Sequence, residues 1–506
     1  MSVVQPRPKP GRTLTVLLLA AMSFALAQTT VAPAIPDMAR ELDSSVSNVT
    51  WTMSGYLVAA AVLTPIIGRL GDMFGKRRLL VVSLAIFALG GVLAALATQL
   101  PLVITGRILQ GAGGGIFPLC FGIIRDEFPV EKRSVSIGLI SAITGLGGGL
   151  GLVLGGLFVD HATYHWIFWS GAAMAAVAAV GTQLLIPESP TRVPGRIDVV
   201  GTLLLSVGLA LPLLAISQGK TWGWTSPTTL GMIIGGVVVL AGLLAFERRQ
   251  AEPLIDVSIL ARRSVLSTNI STLLVGFGMF GAFLLIPQLA QTPKASGYGF
   301  GASATTAGLL MVPGALMMLF TGSLATVISQ RFGGRVALFT GSLLATVGLV
   351  LLAGVPGSEG ALIVECIVLF GGIGMVFAAI PNLIVDAVPA EKTGEATGVN
   401  TLLRSVGASL GSQICASILV SQADASGLPT SDAYQTAFAV SAVVALVAGL
   451  AALTLPGRRH GRHEADATAT VASTPQVTTI PAQSGVTVGA AHANAGTPAG
   501  SGRSGR

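Results

Sequence analysis

Fourteen stretches of this chain stay apolar for about 20 residues, the length that carries a helix across a bilayer core. They lie near 14–35, 49–70, 79–98, 102–124, 136–159, 166–186, 197–217, 229–246, 266–290, 305–328, 336–355, 360–385, 396–420 and 436–455. The fold class that follows is all-α integral membrane, with 14 transmembrane helices. The first run leads into thirteen others, and we read it as a span rather than a cleaved leader.

Composition narrows the class. The 506 residues are 52% hydrophobic and 10% charged, against about 25% charged in soluble domains. Too little polar surface is available for a water-soluble fold. The 65 glycines suit close-packed membrane helices. The net charge of +7 is distributed by side. Loops on one side, with the N-terminus and the start of the C-terminal tail, hold twenty-two Lys and Arg, and the opposite loops hold only Arg40, Lys220 and Lys294. Positive charge marks the cytoplasmic side of a membrane protein. The expected placement is a multi-pass protein of the cell (plasma) membrane with both termini cytoplasmic. The charge is then explained by topology and membrane lipid, leaving no nucleic acid partner. Cys120, Cys366 and Cys415 lie in apolar runs without metal-ligand spacing, and no metal site is expected.

The chain repeats itself. Residues 111 to 151 and those 260 positions later share twelve identities over 41 positions, among them Gly111/Gly371, Phe117/Phe377, Asp126/Asp386, Gly147/Gly407 and Gly151/Gly411. A second echo, "DMFGKRRLL" and "QRFGGRVAL", pairs Phe74 with Phe332 and Gly75 with Gly333. The repeats are eight helices apart with the same orientation. Two six-helix bundles with two inserted helices account for them, as in transporters whose parallel halves are related by an axis along the membrane normal. The expected segments are a cytoplasmic N-terminus at 1–13, the N-terminal bundle at 14–190, and the inserted helices with their linkers at 191–263. The C-terminal bundle follows at 264–456, then a tail at 457–506 whose Ala, Thr, Gly, Ser and Pro content reads as disordered.

Residues 68 to 80 read "GRLGDMFGKRRLL". An acid at a helix end can pair with basic groups of a neighbouring helix, hold the inner face shut and release it. The plainer alternative is a basic loop that anchors topology. Gly68, Leu70, Asp72, Gly75, Lys76 and Arg77 match the signature G-x-L-x-D-x-x-G-(R/K)-(R/K), and the chain here resembles the major facilitator superfamily. "GRILQGAGGG" resembles that family's helix 4 signature through Arg107 and Gly111. "GRIDVVG", "EPLIDVSIL" and "TGEATGVNTLLRSVGASLG" resemble segments of its fourteen-helix drug:proton antiporter branch, the multidrug efflux type. In "GLGGGLGLVLGG" at 145–156, Gly147, Gly151, Gly155 and Gly156 match the helix 5 motif associated with exporters, with Leu152 where the family usually has Pro. Helix 1 departs from the pattern. "LAQTTVAPAIP" places Ala27 where the branch usually carries an acid, which leaves proton coupling through helix 1 without its residue.

Ionisable residues at membrane depth are costly and are functional candidates by default. Arg107 lacks its usual acid, and Gln28, Thr29, Thr30 and Gln110 are its candidate partners, with backbone carbonyls as the structural alternative. Glu365 lies two residues before Ile367, the repeat partner of Arg107. At that depth a carboxylate can carry a proton, unless it reaches out to the outer interface. Arg404 in helix 13 is a candidate for substrate or coupling, or for helix stabilisation alone. Gly147, Gly151 and Gly155 share one face of helix 5, as Gly407 and Gly411 do on helix 13. These two small-residue faces are expected to touch across the bundle interface.

The expected function is a secondary active transporter that exports hydrophobic or amphipathic small molecules, such as drugs, antibiotics or secondary metabolites. It would work by alternating access in exchange for protons, as a monomer. It would be no enzyme and use no cofactor, with the proton gradient as energy source. A metabolite importer of the same fold and a non-transporting receptor or scaffold are the alternatives.

Overall fold

The computed structural model describes residues 10–189, 198–250, 256–424 and 428–454. Fourteen helical spans are long and apolar enough to cross a membrane: α1 Pro10–Glu41, α2 Trp51–Phe74, α3 Lys76–Leu96, α4 Leu100–Glu127, α5 Val130–His161, α6 His165–Leu185 and α7 Val199–Gly219. They continue as α8 Pro227–Glu247, α9 Arg263–Gln291, α10 Thr305–Phe332, α11 Gly334–Ala353, α12 Glu359–Ala387, α13 Ala390–Ser421 and α14 Ser431–Leu453. Each overlaps one expected apolar run. The differences sit at the ends, where helices continue past the first charged residue. The tail from 457 and parts of both linkers lie outside the described residues.

Apolar sequence in lipid must satisfy its backbone internally, which leaves helix as the available form. Several spans are capped as they start. Asp198 accepts from Gly201 N, Ser226 from Thr229 N, Ser303 from Thr306 N, and Ser358 from Ala361 N. Two spans break where the sequence asks for it. The first α-helical part of α1 ends at Thr29, and the chain passes through a 3-10 turn at Ala32–Ala34 before Ile35–Glu41. Pro33 and Pro36 lack the N–H donors that would continue it. α4 passes through a 3-10 turn at Gly111–Gly115. With Leu152 in place of Pro, α5 runs unbroken for 32 residues.

The turns joining α2 to α3 and α10 to α11 each hinge on one glycine. Gly75 has φ 108° and Gly333 has φ 94°. A side chain is strained there, and the two residues are repeat partners. The span ends that carry the Lys- and Arg-rich turns form what we call the basic face. The other ends, with Arg40 and Lys294, form the far face.

Buried apolar side chains gather in two main clusters. One draws almost wholly on α1–α6 and the other on α9–α14. Between these sets, α5 lies against α10, and α2 against α13. The inserted α7 packs on α2 and α13, and α8 packs on α7. Leu205, Leu209 and Leu213 of α7 meet Ala61 and Ile66 of α2 and Leu402 of α13 in a smaller cluster.

The glycine face of α5 corrects an expectation. Gly147, Gly151 and Gly155 do not touch α13. They face α1: a Cβ on Gly147 would collide with Ala25, one on Gly151 with Thr29, and one on Gly155 with the Thr30 carbonyl. The Thr29 hydroxyl donates to the Gly148 carbonyl at 3.0 Å across this seam. Gly407 and Gly411 repeat the arrangement against Leu273 and Phe277 of α9. Both small-residue faces are therefore seams inside their own half. The α5 residues that meet the other half lie on adjoining faces, where Gly145 adjoins Met318, Gly149 adjoins Ala315 and Gly156 adjoins Thr305.

Gly151→Leu should drive a side chain into the α1 backbone and destabilise the fold by roughly 1–3 kcal/mol, the usual cost of overpacking. Gly148→Ala, whose added Cβ would lie 3.3 Å from the Phe283 ring, should stay near wild type. Thermal unfolding in detergent compares the two, and equal melting temperatures would contradict this assignment of the seam.

Candidate functional site

At the basic face α2 and α13 cross with their backbones in contact. A Cβ on Gly68 would run into the Gly394 carbonyl, and one on Gly394 would meet the Gly68 carbonyl oxygen at 2.5 Å. Gly398 sits against Pro65, where a Cβ would lie 2.9 Å from the Pro65 Cα. The contact lets Asp72, which is 1% exposed, reach the first turn of α13. Gly394 N donates to Asp72 Oδ1 at 3.3 Å and Glu395 N donates to Oδ2 at 3.1 Å. A carboxylate at a helix N-terminus satisfies orphan N–H groups and opposes the positive end of the helix dipole. Arg69 Nη1 lies 3.8 Å from Glu395 Oε2, and Lys392 Nζ lies 3.3 Å from the same oxygen. Asp256 N, just beyond the inserted pair, donates to Glu395 Oε1 at 2.5 Å.

The other residues of the same motif hold the N-terminal half to itself. Lys76 Nζ is 3.6 Å from Asp72 Oδ1 and 2.8 Å from Asp126 Oδ2 on α4. Arg77 Nη1 donates to the Ile186 carbonyl at 3.3 Å. A side chain on Gly75 would strike Glu188. Of the five candidate gate residues, Gly68 and Asp72 cross to the other half, while Gly75, Lys76 and Arg77 position α3 and α6. A second crossing comes from Arg125, which the sequence marked only for topology. It donates to the carbonyls of Val388 at 2.9 Å and Pro389 at 3.2 Å, and to Thr393 Oγ1 at 2.6 Å.

Beyond this closure α2 and α13 part. A cavity of about 110 Å³ opens between the halves, bounded by Gln28 of α1, Ser54 and Thr64 of α2, Ser217 of α7, Phe280 of α9 and Ser412 of α13. α7 fills the gap as a side wall. Ser217 Oγ is 2.5 Å from Ser54 Oγ, and Gln413 Nε2 donates to the Ser217 carbonyl at 3.4 Å. A smaller chamber of about 30 Å³ adjoins it, lined by Phe117, Phe121, Thr144, Phe377 and Asn400. Thr401 and Arg404 line both. Among the described residues no Asp or Glu lines either chamber.

The repeat builds this floor. At the 260-residue offset Phe117 matches Phe377, Phe121 matches Pro381, Ser141 matches Thr401 and Thr144 matches Arg404. All eight line the smaller chamber. The Arg404 guanidinium carbon stands 5.2 Å from the Phe377 ring centroid and 5.8 Å from that of Phe117. Applying the offset to Arg404 would have marked this pairing in the sequence.

Arg107 and Gln110 lie off the cavity, buried to about 1% exposure. Arg107 Nη1 donates to Gln110 Oε1 at 2.8 Å, Nη2 to the Ala27 carbonyl at 3.0 Å and Nε to the Thr52 carbonyl at 3.1 Å. Its guanidinium lies 4.1 Å from the Tyr56 ring centroid. Of its four candidate partners only Gln110 is used, because Thr29 and Thr30 donate to backbone carbonyls and Gln28 lines the cavity. Glu365 also lies outside both chambers. It is half-buried on α12, and its Oε2 has no hydrogen-bond partner among the described residues.

The cavity thus lies between two repeat-related sets of membrane helices, and the α2–α13 crossing closes it at one face. The Major Facilitator Superfamily model matches residues 17–412. The chain belongs to the major facilitator superfamily. It is 28% identical over 420 residues to the tetracenomycin C resistance and export protein of Streptomyces glaucescens, covering 82% of this chain and 77% of that one. It is 28% identical over 399 residues to multidrug resistance protein 3 of Bacillus subtilis, covering 78% and 77%. The human organic anion transporter MFSD10 shares its fold, with a TM-score of 0.61 at 17% identity over 88% of this chain and all of that one. This superfamily chain is a membrane transporter and not an enzyme.

Asp72→Asn should weaken the closure by about 1.5–3 kcal/mol, the worth of hydrogen bonds to a charged group. Spin labels at Phe74→Cys and Glu391→Cys, both exposed, should show a longer-distance population when Asp72→Asn is added. The three native cysteines are buried. An unchanged distance distribution would show that Asp72 does not hold the face shut.

Proposed function

We propose that this transporter exports hydrophobic or amphipathic small molecules, such as drugs, antibiotics or secondary metabolites, by alternating access in exchange for protons. The observation that carries the reading is the cavity. It lies between the two halves and is bounded by apolar, hydroxyl- and amide-bearing side chains together with Arg404. The Gly68–Gly394 crossing closes it at the basic face. The name of the Streptomyces relative, a resistance and export protein, favours outward transport.

In this reading the basic face and both termini are cytoplasmic, following the bias of Lys and Arg, and the protein works as a monomer in the plasma membrane. No cofactor takes part, and the proton gradient supplies the energy. Ala27 leaves α1 without an acid, and Arg107 is satisfied by carbonyls and Gln110. The proton then travels on the other half. Glu365 is our choice for its carrier, because its unbonded carboxylate oxygen sits on a spanning helix and can bind a proton without breaking an existing contact. α12 also supplies Phe377 and Pro381 to the cavity floor, so a change at Glu365 has a direct mechanical route to it.

Efflux from energised vesicles should stop when a protonophore collapses the pH gradient. Glu365→Gln should lower gradient-driven efflux at least about tenfold, a conservative bound for the loss of a positioned proton-transfer group. Downhill exchange of substrate should survive. Efflux indifferent to the gradient would remove proton exchange from the reading, and full activity in Glu365→Gln would remove that residue from it.

A further inference from the structure

The cavity holds one formal charge, and nothing among the described residues neutralises it. Arg404 lines both chambers, and no described Asp or Glu lines either. Among the described residues its guanidinium has only two ring contacts, with Phe117 and Phe377. The comparison with Arg107 is direct, since that second intramembrane arginine makes three hydrogen bonds and a ring contact. The nearest carboxylate on the Arg404 helix is Glu395, nine residues away, or about 13 Å along the axis. Glu395 is already engaged by Lys392 and by the Asp256 backbone.

A guanidinium kept from bulk water is costly without a counter-ion. Aromatic faces attract it but offer no hydrogen-bond acceptor. Its planar fork of donors matches a carboxylate or similar oxyanion in two parallel bonds. The two phenylalanines leave a flat apolar floor beside it. On the same helix Thr401 also lines the larger chamber and can donate to a further oxygen, while the Ser405 and Ser412 hydroxyls there donate to the Thr401 and Ala408 carbonyls. Thr144 stands at the repeat-equivalent position, so the charge belongs to one half only and gives a bound molecule a direction.

We propose that Arg404 is the anion-recognition point of the transport cavity, and that its ligands are amphipathic molecules carrying an acidic group on an aromatic or apolar body. The acidic group is a carboxylate, phenolate or enolate. It lies against the Arg404 fork, and the ring system occupies the larger chamber between Phe280 and the α13 hydroxyls. This rests on the cavity being the transport site, and it is independent of proton exchange.

Binding to the purified full-length protein in detergent tests it without any gradient. The probes are 1-pyrenebutyrate and its neutral methyl ester, followed by fluorescence anisotropy. The wild type should bind the acid more tightly than the ester by roughly tenfold to a hundredfold, the worth of a charge-assisted hydrogen bond. Arg404→Gln should remove that preference while leaving the ester's Kd within about twofold, since the neutral contacts remain. Arg404→Lys should keep part of it, because Lys is a point charge without the fork. If the Gln variant fails to fold, the wild-type ratio and the Lys variant decide. No preference in the wild type, or a preference retained in Arg404→Gln, would overturn the assignment. Either result would leave gradient-driven export of neutral substrates untouched. Conversely, loss of gradient dependence in vesicles would leave this preference intact.

Discussion

The contact between the Gly68 and Gly394 backbones sets the terms for the rest of the molecule. Neither position has room for a side chain, so α2 and α13 meet there more closely than ordinary helices can. Only at that separation can Asp72 accept from the N–H groups of Gly394 and Glu395. The lock is therefore conditional. It depends on a few bonds to one helix terminus, whereas the seams within each half are continuous strips of small residues. Helices that cross tightly at one end diverge at the other, and the divergence of α2 and α13 provides the cavity. It also provides the place for α7, whose Leu213 and Ser217 fill what would otherwise be a slot open to the side.

The sequence repeat has a mechanical counterpart. Gly147 and Gly151 fit α5 to α1, and Gly407 and Gly411 fit α13 to α9. Gly75 and Gly333 turn the chain at equivalent corners. Each half is thus internally tight in the same way, as rigid-body rocking requires. Two differences between the halves fall where they face each other. The Asp72 position corresponds to Gln330, and Thr144 to Arg404. The shared residues make the frame, and these two unshared ones make a contact across one face and a charge on one wall.

Much of the architecture was legible before any coordinates. Apolar run length located the fourteen spans, because lipid allows the backbone no competing structure. Charge placement separated the two faces, and the 260-residue offset identified the repeat. What failed was the partner of a helix face. Gly147, Gly151 and Gly155 announce that something packs closely, but small residues carry no mark of what approaches them, and α1 is as good a candidate as α13. The sequence also hides backbone acceptors. A search for partners of Arg107 finds side chains, while two of its three acceptors are the carbonyls of Ala27 and Thr52. The basic loop was over-read as a unit, since Gly75, Lys76 and Arg77 brace α3 and α6 and only Gly68 and Asp72 reach across.

Ala27 links these observations. An acid at that position would place a negative charge on α1 next to Arg107. Alanine leaves the charge to be met by carbonyl dipoles, Gln110 and the Tyr56 ring, all inside the N-terminal half. The pairing is complete, so Arg107 has no reason to move when a ligand or proton arrives. Arg404 is in the opposite condition, with aromatic contacts on two sides and no acceptor among the described residues. A charge already satisfied contributes rigidity, and a charge left unsatisfied contributes affinity. The two intramembrane arginines divide these tasks. The division follows from their positions, because the satisfied one lies within a half and the unsatisfied one lies where the halves meet.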